Sequence, residues 1–273
     1  MLYLVGTPIG NMGDMSSRGI EILCSVDVIA CEDTRRTGLL LQHFGIEGKL
    51  FSYHEHNKAA KGPVLVNMMK EGADVALVSD AGMPSVNDPG EDLVKLCIEN
   101  ELEVTAVPGP VAAITALVLS GLDTTKFHYE GFLPSAGSDR RKRIEALKAF
   151  NETVIIYEAP HRLMKLIDEL MEAGFAQNKA AFCRELTKKY EEVLRGSVED
   201  AKKHFEQIPP KGEFVICLEC KGEVEKKEDV DPDELIKELA SQGLPTKKIA
   251  SEVAAVTGLS KKELYERALR LLK

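Results

Sequence analysis

Charged and polar side chains follow directly on three apolar runs of the sequence, at points where strands are predicted to end. Asp33 and Arg35 follow the first of these runs, Glu158 and His161 the second, and Lys188 the third. In open α/β sheets, ligands bind in the crevice beyond the carboxyl ends of the strands. A carboxylate or imidazole in that crevice could exchange a proton with a ligand, and an arginine could hold an anion. Asp33 has a second interpretation, as the capping residue of the helix that follows it.

The loop between Val75–Val78 and Glu91–Asn100 is rich in small, turn-forming residues. The first segment is an aliphatic run typical of a strand buried on both faces, and the second has apolar residues at helical spacing. Ser79–Gly82 follow the strand immediately, where small residues let a ligand approach the backbone closely. We therefore predict that this loop forms one wall of a binding site. The alternative is a plain connection in which Asp88 caps the helix and Pro89 begins it.

Composition is that of a globular protein. The 273 residues are 44% hydrophobic and 29% charged, enough for two ordinary domains and a small appendage. No apolar run reaches the roughly 18–20 residues of a membrane span, and the first residues lack the basic leader of a signal peptide. We therefore expect a cytoplasmic protein without a membrane anchor. The net charge of −9 argues against indiscriminate coating of nucleic acid but allows a local basic face.

Neither the cysteines nor the histidines have the spacing of a metal site. Cys217 and Cys220 form a single Cys-x-x-Cys pair, whereas a zinc or redox centre needs a second pair or a helix start. His54 and His56 are two positions apart and would point in opposite directions on an extended chain. We therefore predict buried thiols, a polar substrate rim at the two histidines, and no metal.

The order of the predicted elements indicates an α/β protein with two α/β domains and a small C-terminal helical module. Residues 1–120 alternate strands with helices, which predicts a parallel sheet covered on both faces. Their last helix, Ala112–Leu119, is apolar along its whole length and is predicted to be buried on all sides. Residues 125–221 predict a second domain with a mixed sheet and one hairpin. A charged linker at 221–230 then leads to three helices at 231–273, in which helices and turns are spaced as in a helix-turn-helix.

Several basic runs could contact nucleic acid, among them one run of four and two lysine pairs in the C-terminal helices. A solvated helix face explains such runs in most proteins, but they suit a nucleic-acid phosphate backbone equally well. The same choice holds for the C-terminal helices, which could contact nucleic acid or form a small packing module. The candidates for contact with nucleic acid are Arg140, Arg141, Lys142, Arg143, Lys247, Lys248, Lys261 and Lys262.

Taken together, these stretches resemble the bacterial 16S ribosomal RNA cytidine 2′-O-methyltransferases of the tetrapyrrole methylase superfamily. The resemblance covers nearly the whole chain, and so many ordered blocks make a chance similarity untenable. The blocks are LVGTPIGN at 4–11, CEDTRRT at 31–37, SYHEHN at 52–57, LVSDAGMPSVNDPG at 77–90, VPGP at 107–110, EGFLP at 130–134, YEAPHR at 157–162, CRELTK at 183–188 and GEFVI at 212–216, followed by the C-terminal module.

The resemblance implies S-adenosylmethionine as the methyl donor, bound in the cleft between the two α/β domains of a homodimer. It also implies, as acceptor, a cytidine ribose hydroxyl of small-subunit ribosomal RNA near the decoding centre. The family usually has serine where Val111 stands and threonine where Met83 stands, so side-chain hydrogen bonds are not expected there. The residues that it assigns to the donor are Pro8, Ile9, Ser79, Asp80, Ala81, Gly82, Met83, Val111, Ala112, Tyr157, Glu158, Leu186, Gly212 and Glu213.

Methyl transfer to a ribose hydroxyl requires close alignment of the reactants, and a base assists it because the hydroxyl is a weak nucleophile at neutral pH. Glu158, His161 and Asp33 are the candidate bases, with Lys188 as another if its pKa is depressed. Arg35 would orient phosphate or ribose. Two other functions stay open, a tetrapyrrole or other small-molecule methyltransferase of the same superfamily and an RNA-binding factor without catalysis. The helical module argues against the first, and donor binding would argue against the second.

Overall fold

The first sheet is built from five short strands that are mostly aliphatic. The computed structural model describes residues 1–222, 231–257 and 259–272. Strands β1 to β5 are Leu2–Val5, Val28–Cys31, Leu50–Ser52, Val75–Val78 and Val104–Val107. They are all parallel, in the order β3-β2-β4-β1-β5. Strands β2 and β4 are buried at every position, as expected of inner strands covered on both faces. The prediction of a parallel sheet is confirmed.

Helices α1 to α5 are Ser17–Ser25, Thr34–Phe44, Lys58–Lys70, Glu91–Glu99 and Ala112–Ser120. Helices α1 and α2 pack on one face of the first sheet, and α3 and α4 pack on the other. Local sequence sets where they begin and end. The Ser16 side chain caps α1 and the Asp33 side chain caps α2, which ends at Gly45 in the left-handed region with φ of 65°.

Helix α5 packs against the second sheet, although it follows a strand of the first. Ala113, Ala116 and Leu117 lie in one apolar cluster with residues of the second sheet. The prediction that α5 is buried on all sides is wrong, because Ile114 is 43% and Val118 66% exposed. The helix has only one face covered by the sheet, so an apolar ridge along its length is left facing outwards.

The second sheet is mixed and contains both parallel and antiparallel pairs. Strands β6 to β10 are Phe127–Phe132, Thr153–Glu158, Lys179–Arg184, Glu192–Ser197 and Phe214–Glu219. Their order is β6-β7-β10-β8-β9, in which β6 and β7 are parallel and the other pairs are antiparallel. The predicted hairpin is the pair β8 and β9. Helices α6, α7 and α8 are Gly137–Ala146, Pro160–Glu172 and Val198–Gln207, and they pack on the face of the sheet opposite α5.

The chain divides into two compact units, Met1–Cys220 and Lys221–Lys273, so both sheets belong to the first unit. Helices α9, α10 and α11 of the second unit are Pro232–Ser241, Thr246–Thr257 and Lys261–Leu271. They share an apolar core that includes Ile236, Val253 and Leu264. The Asp231 side chain caps α9. Most of the predicted linker at 221–230 lies outside the described residues, and the proposed division between residues 1–120 and 125–221 stays a prediction.

The cysteines are free thiols, and all except Cys24 are buried. This agrees with the prediction that the Cys217 and Cys220 thiols are buried. Within the described part of the chain, no helix combines the length and the apolar character needed to cross a membrane.

Candidate functional site

Three loops meet at the carboxyl edge of the first sheet and are tied to one another through the backbone. Gly6 follows β1 and lies against Gly109, which follows β5. A Cβ atom on Gly109 would lie only 2.8 Å from the Gly6 Cα atom. Thr7 and Gly82 exchange two backbone hydrogen bonds of 2.9 and 3.1 Å, which join the loops after β1 and β4. These contacts fix the main chain that forms one side of a cleft.

Of two adjoining cavities at this edge, the larger has a volume of about 490 Å³ and lies between these loops and the second sheet. Its wall includes apolar and aromatic side chains together with several charged groups. This volume lies within the range of typical small-molecule sites. The lining residues are Ile9, Glu32, Arg36, Asp80, Ala81, Gly82, Met83, Val86, Asn87, Asp88, Val111, Ala112, Phe132, Tyr157, Glu158, Ala159, Pro160, Cys183, Leu186, Lys188, Glu213, Phe214 and Val215.

A smaller cavity of about 310 Å³ adjoins the larger one and shares part of its wall. Pro8 and Ser79 line only this smaller cavity, and Met12 and Leu39 stand exposed in its wall. The residues common to both cavities are Ile9, Arg36, Asp80, Ala81, Lys188 and Glu213. All the residues predicted to bind the donor therefore line one cavity or the other, except Gly212. The loop after β4, predicted to be a wall of a binding site, contributes to both.

Hydrogen bonds accepted by the hydroxyls of Tyr129 and Tyr157 connect the second sheet to the cavity wall. The Tyr157 hydroxyl accepts a hydrogen bond of 2.9 Å from the Ala113 N–H, at the start of α5. The Tyr129 hydroxyl accepts one of 2.5 Å from the Asn87 side chain, in the loop after β4. Burial raises the pKa of both phenols. Both tyrosines therefore stay neutral and act as fixed hydrogen-bonding groups.

Glu158 belongs to a buried network of charges and is not free to act as a base. Arg140 donates to Glu158 at 3.2 Å and to Glu169 at 2.6 Å, and Arg162 pairs with Glu158 at 3.0 Å. Arg140 also donates to the Pro134 carbonyl at 2.9 Å. Two guanidinium groups therefore hold the carboxylate of Glu158. This geometry does not favour the predicted role as proton acceptor and instead gives Glu158 a structural role in the cavity wall.

The acid and arginine predicted at the end of β2, Asp33 and Arg35, line neither cavity. Asp33 pairs with Arg35 at 2.7 Å. The hydrogen bond from Arg35 holds the pKa of the Asp33 carboxyl far below its usual range, so this group is a poor base. The Arg35 side chain is 89% exposed. Arg36 lines both cavities instead and pairs with Asp80 at 3.1 Å.

Lys188 lies in the wall that the two cavities share, where it pairs with Glu213 at 2.9 Å and Glu185 at 3.0 Å. Burial alone would lower the pKa of Lys188, but the hydrogen bonds to these two carboxylates outweigh it and raise the pKa. The condition under which Lys188 was a candidate base, a depressed pKa, is therefore not met, and Lys188 stays a cation. His161 is exposed on α7 and lines neither cavity.

The basic run at the start of α6 does not form one surface. Arg140 is 0% exposed, so the prediction that it contacts nucleic acid is wrong. Arg141 and Lys142 are exposed, and Arg143 pairs with Glu130. The four predicted lysines of the C-terminal module, Lys247, Lys248, Lys261 and Lys262, are all exposed.

Sequence reasoning did not select several residues of the larger cavity, among them Arg36, Asp88 and Phe132. Arg36 and Arg35 are neighbours, and successive helical residues point about 100° apart. Which of the two lines the cavity therefore depends on the orientation of α2, which the sequence does not show. Phe132 ends β6 with 56% of its surface exposed. An aromatic residue at the end of a predicted strand was the available signal for it. Within the described ranges, no group of three or more His, Cys, Asp or Glu side chains is placed to hold a metal ion.

Comparison with known proteins agrees with this architecture. Residues 1–202 match the family described as Tetrapyrrole (Corrin/Porphyrin) Methylases, and residues 227–272 match the RsmI C-terminal HTH domain. The chain is 44% identical to a ribosomal RNA small subunit methyltransferase I of Mesorhizobium japonicum, over 99% of this chain and 92% of that protein. It is 43% identical to the protein of that name from Halalkalibacterium halodurans, over 97% and 93%.

Two solved structures have the fold of the first unit. Uroporphyrin-III-C-methyltransferase from Thermus thermophilus aligns with a TM-score of 0.57 at 22% identity, over 79% of this chain and 93% of that one. A diphthine synthase aligns with a TM-score of 0.63 at 16% identity, over 81% and 89%. Identities this low support the shared fold and say nothing about the substrate.

Proposed function

The chain belongs to the tetrapyrrole (corrin/porphyrin) methylases, and on that premise we propose that it is a methyltransferase acting on ribosomal RNA. The donor is S-adenosylmethionine, and the acceptor is the ribose 2′-hydroxyl of a cytidine in the 16S RNA of the small ribosomal subunit, near the decoding centre. Relatives at 43–44% identity are named ribosomal RNA small subunit methyltransferase I. An enzyme with this substrate works in the cytoplasm.

The convergence of the expected donor residues on two adjoining cavities is the observation that carries this proposal. Val111, Leu186 and Phe214 give the larger cavity apolar walls, which exclude water from a bound donor. Its volume of about 490 Å³ suits a ligand of nucleoside size or larger. S-Adenosylmethionine, when bound, supplies a methyl group on a positively charged sulfur.

The charged groups on the shared wall suit the acceptor side of the reaction. Arg36 and Lys188 are cations within reach of both cavities, and cations position RNA through its phosphates. Exposed Phe132 and Val86 in the wall of the larger cavity offer apolar surface against which an unstacked base can pack. The exposed lysines of the C-terminal module add further sites for phosphate.

The first test combines donor binding with methyl transfer. Calorimetric titration with S-adenosylmethionine should show one site per chain, and purified unmethylated small subunits should accept the methyl group. Nuclease digestion and mass spectrometry should then find 2′-O-methylcytidine. Transfer to uroporphyrinogen in place of the subunits would replace this proposal with the small-molecule function. Absence of donor binding both alone and with subunits would leave only the non-catalytic function.

Ala112→Leu and Ala60→Leu make a matched pair for locating the donor. Ala112 lines the larger cavity, whereas Ala60 is exposed on α3. Three added carbons at position 112 fill space that the donor needs, so we expect affinity for S-adenosylmethionine to fall at least tenfold. Ala60→Leu should bind like the wild type. Equal affinities in the two variants would place the donor elsewhere.

We also propose that the chain forms a homodimer through the exposed ridge of α5. Ile114 and Val118 lie four residues apart, on the same side of the helix. Val118→Glu places a charge on this ridge and should weaken dimerisation at least tenfold in sedimentation equilibrium. Ile98→Glu is the control, because Ile98 is 65% exposed on α4. A wild type that is monomeric at micromolar concentration, or a Val118→Glu variant that dimerises normally, would contradict the proposal.

A further inference from the structure

Five carboxylates line the larger cavity, and they differ in what they contact. Three have basic partners, since Asp80 pairs with Arg36 at 3.1 Å, Glu158 with Arg140 at 3.2 Å and Glu213 with Lys188 at 2.9 Å. The basic partner occupies the carboxylate oxygens that a substrate hydroxyl would have to reach. The other two are Glu32 and Asp88. Within the described part of the chain, neither of them forms an ion pair.

Glu32 and Asp88 have different surroundings. Glu32 is exposed to solvent, whereas Asp88 is partly buried in the loop after β4. The Ser79 hydroxyl, which donates to the Gly82 carbonyl at 3.1 Å, lies near Asp88, as do the carboxylates of Glu32 and Asp80. The phenols of Tyr129 and Tyr157 are the other titratable groups that face it. Burial, followed by the charge of Glu32, raises the pKa of Asp88 to about 6.

The backbone holds Asp88 in place from both sides. Asn87 precedes it in the left-handed region, with φ of 63°, and its side chain donates to the Tyr129 hydroxyl. Pro89 follows it and fixes the next φ angle. Gly90 then has φ of 145°, and a Cβ atom there would lie 2.3 Å from the Ser85 Oγ atom. The Asn87 hydrogen bond, the Pro89 ring and the close contact at Gly90 therefore restrict the backbone on either side of Asp88.

We propose that Asp88 is the general base of the methyl transfer, an inference that rests on the proposed function. As the 2′-oxygen forms its bond to the methyl carbon, the bond from that carbon to sulfur breaks and its electron pair stays on sulfur. The proton of the hydroxyl passes to a carboxylate oxygen of Asp88 and is released to solvent after the product leaves. The donor sulfonium is thereby neutralised, and atoms and charge balance without any further reactant.

The surroundings of Asp88 suit this step better than those of the other candidates. A base works best when its pKa lies close to the working pH, because it is then both ionised and able to hold a proton. Asp33 is a weaker base and lies outside the cavity, and Lys188 is already protonated. Glu32 shares the cavity, but water hydrates its carboxylate. The hydrogen bond from Asn87 to Tyr129 and the Pro89 ring hold the backbone on either side of Asp88 between reactions.

The test measures kcat/KM with small subunits as a function of pH for wild type, Asp88→Asn, Asp88→Glu and Glu32→Gln. Wild-type kcat/KM should fall about tenfold per pH unit below about 6. The kcat/KM of Asp88→Asn should be roughly 10²- to 10⁴-fold below that of wild type. Its pH profile should also lack the fall at acidic pH, which we call the acidic limb. Asp88→Glu should restore part of the activity and the limb. Glu32→Gln should keep the limb. All variants should bind S-adenosylmethionine within threefold of wild type.

A second readout does not depend on activity. Because the folded pKa of Asp88 lies above the unfolded value of about 3.9, its ionisation destabilises the fold as pH rises towards and through 6. The melting temperature of Asp88→Asn should therefore rise relative to wild type between pH 4.5 and 7.5. A constant difference would show that Asp88 does not titrate in this range and would overturn the inference.

Two kinetic results would also overturn it. One is an Asp88→Asn variant within threefold of wild-type kcat/KM, and the other is an acidic limb that disappears in Glu32→Gln but persists in Asp88→Asn. A wild type that binds donor yet methylates no RNA is a different failure. That result removes the proposed acceptor, and the inference falls with it, whatever the variants do.

Discussion

Replacing Arg140 by methionine is expected to lower the free energy of unfolding by about 3–5 kcal/mol. The substitution removes one of the two guanidinium groups that hold the Glu158 carboxylate, whose side chain is fully buried. It also removes the 2.6 Å bond to Glu169 and the bond to the Pro134 carbonyl. An ionised group left partly unpaired in the protein interior accounts for most of the loss.

Urea denaturation followed by far-UV circular dichroism would measure this effect. Arg141→Met is the matched control, because it makes the same chemical change at the next position of α6, where the side chain is exposed. It should change stability by less than about 0.5 kcal/mol. Arg140→Met with Glu158→Gln should recover part of the loss, since the unpaired charge is then absent. Equal stability of the Arg140 and Arg141 single variants would show that the buried network does not stabilise the fold.

Gly109→Ala is expected to reduce affinity for S-adenosylmethionine by at least about 100-fold and to cost about 1–3 kcal/mol of stability. The added methyl carbon would lie 2.8 Å from the Gly6 Cα atom and 2.9 Å from its carbonyl carbon. Neither neighbour is a flexible side chain, so the loops after β1 and β5 must move apart. Ile9 and Val111 follow these glycines and line the cavity, so they would move with the loops.

Calorimetry with S-adenosylmethionine checks the affinity, and thermal denaturation checks the stability. Gly38→Ala is the control, because the nearest atom to an added carbon there is 3.9 Å away and the residue lies inside α2. That change should stabilise the helix by about 0.5–1 kcal/mol and leave donor binding unchanged. Normal donor affinity in Gly109→Ala would mean that the glycine contact does not shape the donor site.

Hydrophobic patterning was sufficient to predict the parallel sheet, the mixed second sheet and the loop after β4 as a cavity wall. Aliphatic runs such as Val75–Val78 and the small residues of Ser79–Gly82 are local signals, so they can be read along the chain. The convergence of the cavity loops is different. The contact between Gly6 and Gly109 joins positions 103 residues apart, since 109 − 6 = 103, and only the neighbouring pairing of β1 with β5 brings it about.

The charged side chains were the hardest part of the site to predict. In the run Arg140–Arg143, side chains leave the helix in different directions, and one of the four points into the core to meet Glu158 and Glu169. Residue type alone does not distinguish among these four basic side chains. For the same reason, the sequence did not show which of Arg35 and Arg36 lines the cavity. It also did not show the raised pKa of Asp88, which arises from burial and from the nearby carboxylates of Glu32 and Asp80.

The packing of helix α5 affects how the chain folds during its synthesis. It leaves the ribosome with the first sheet, yet the strands that cover its apolar face are completed only at Glu219, which is 99 residues beyond Ser120 (219 − 120 = 99). At about 5–20 residues per second, this delay lasts roughly 5–20 s. During that interval the nascent chain carries an uncovered apolar helix, a suitable binding site for a chaperone. The same packing makes Ser120 a poor place to cut the chain, because a fragment that starts after it would lack the helix that covers its sheet.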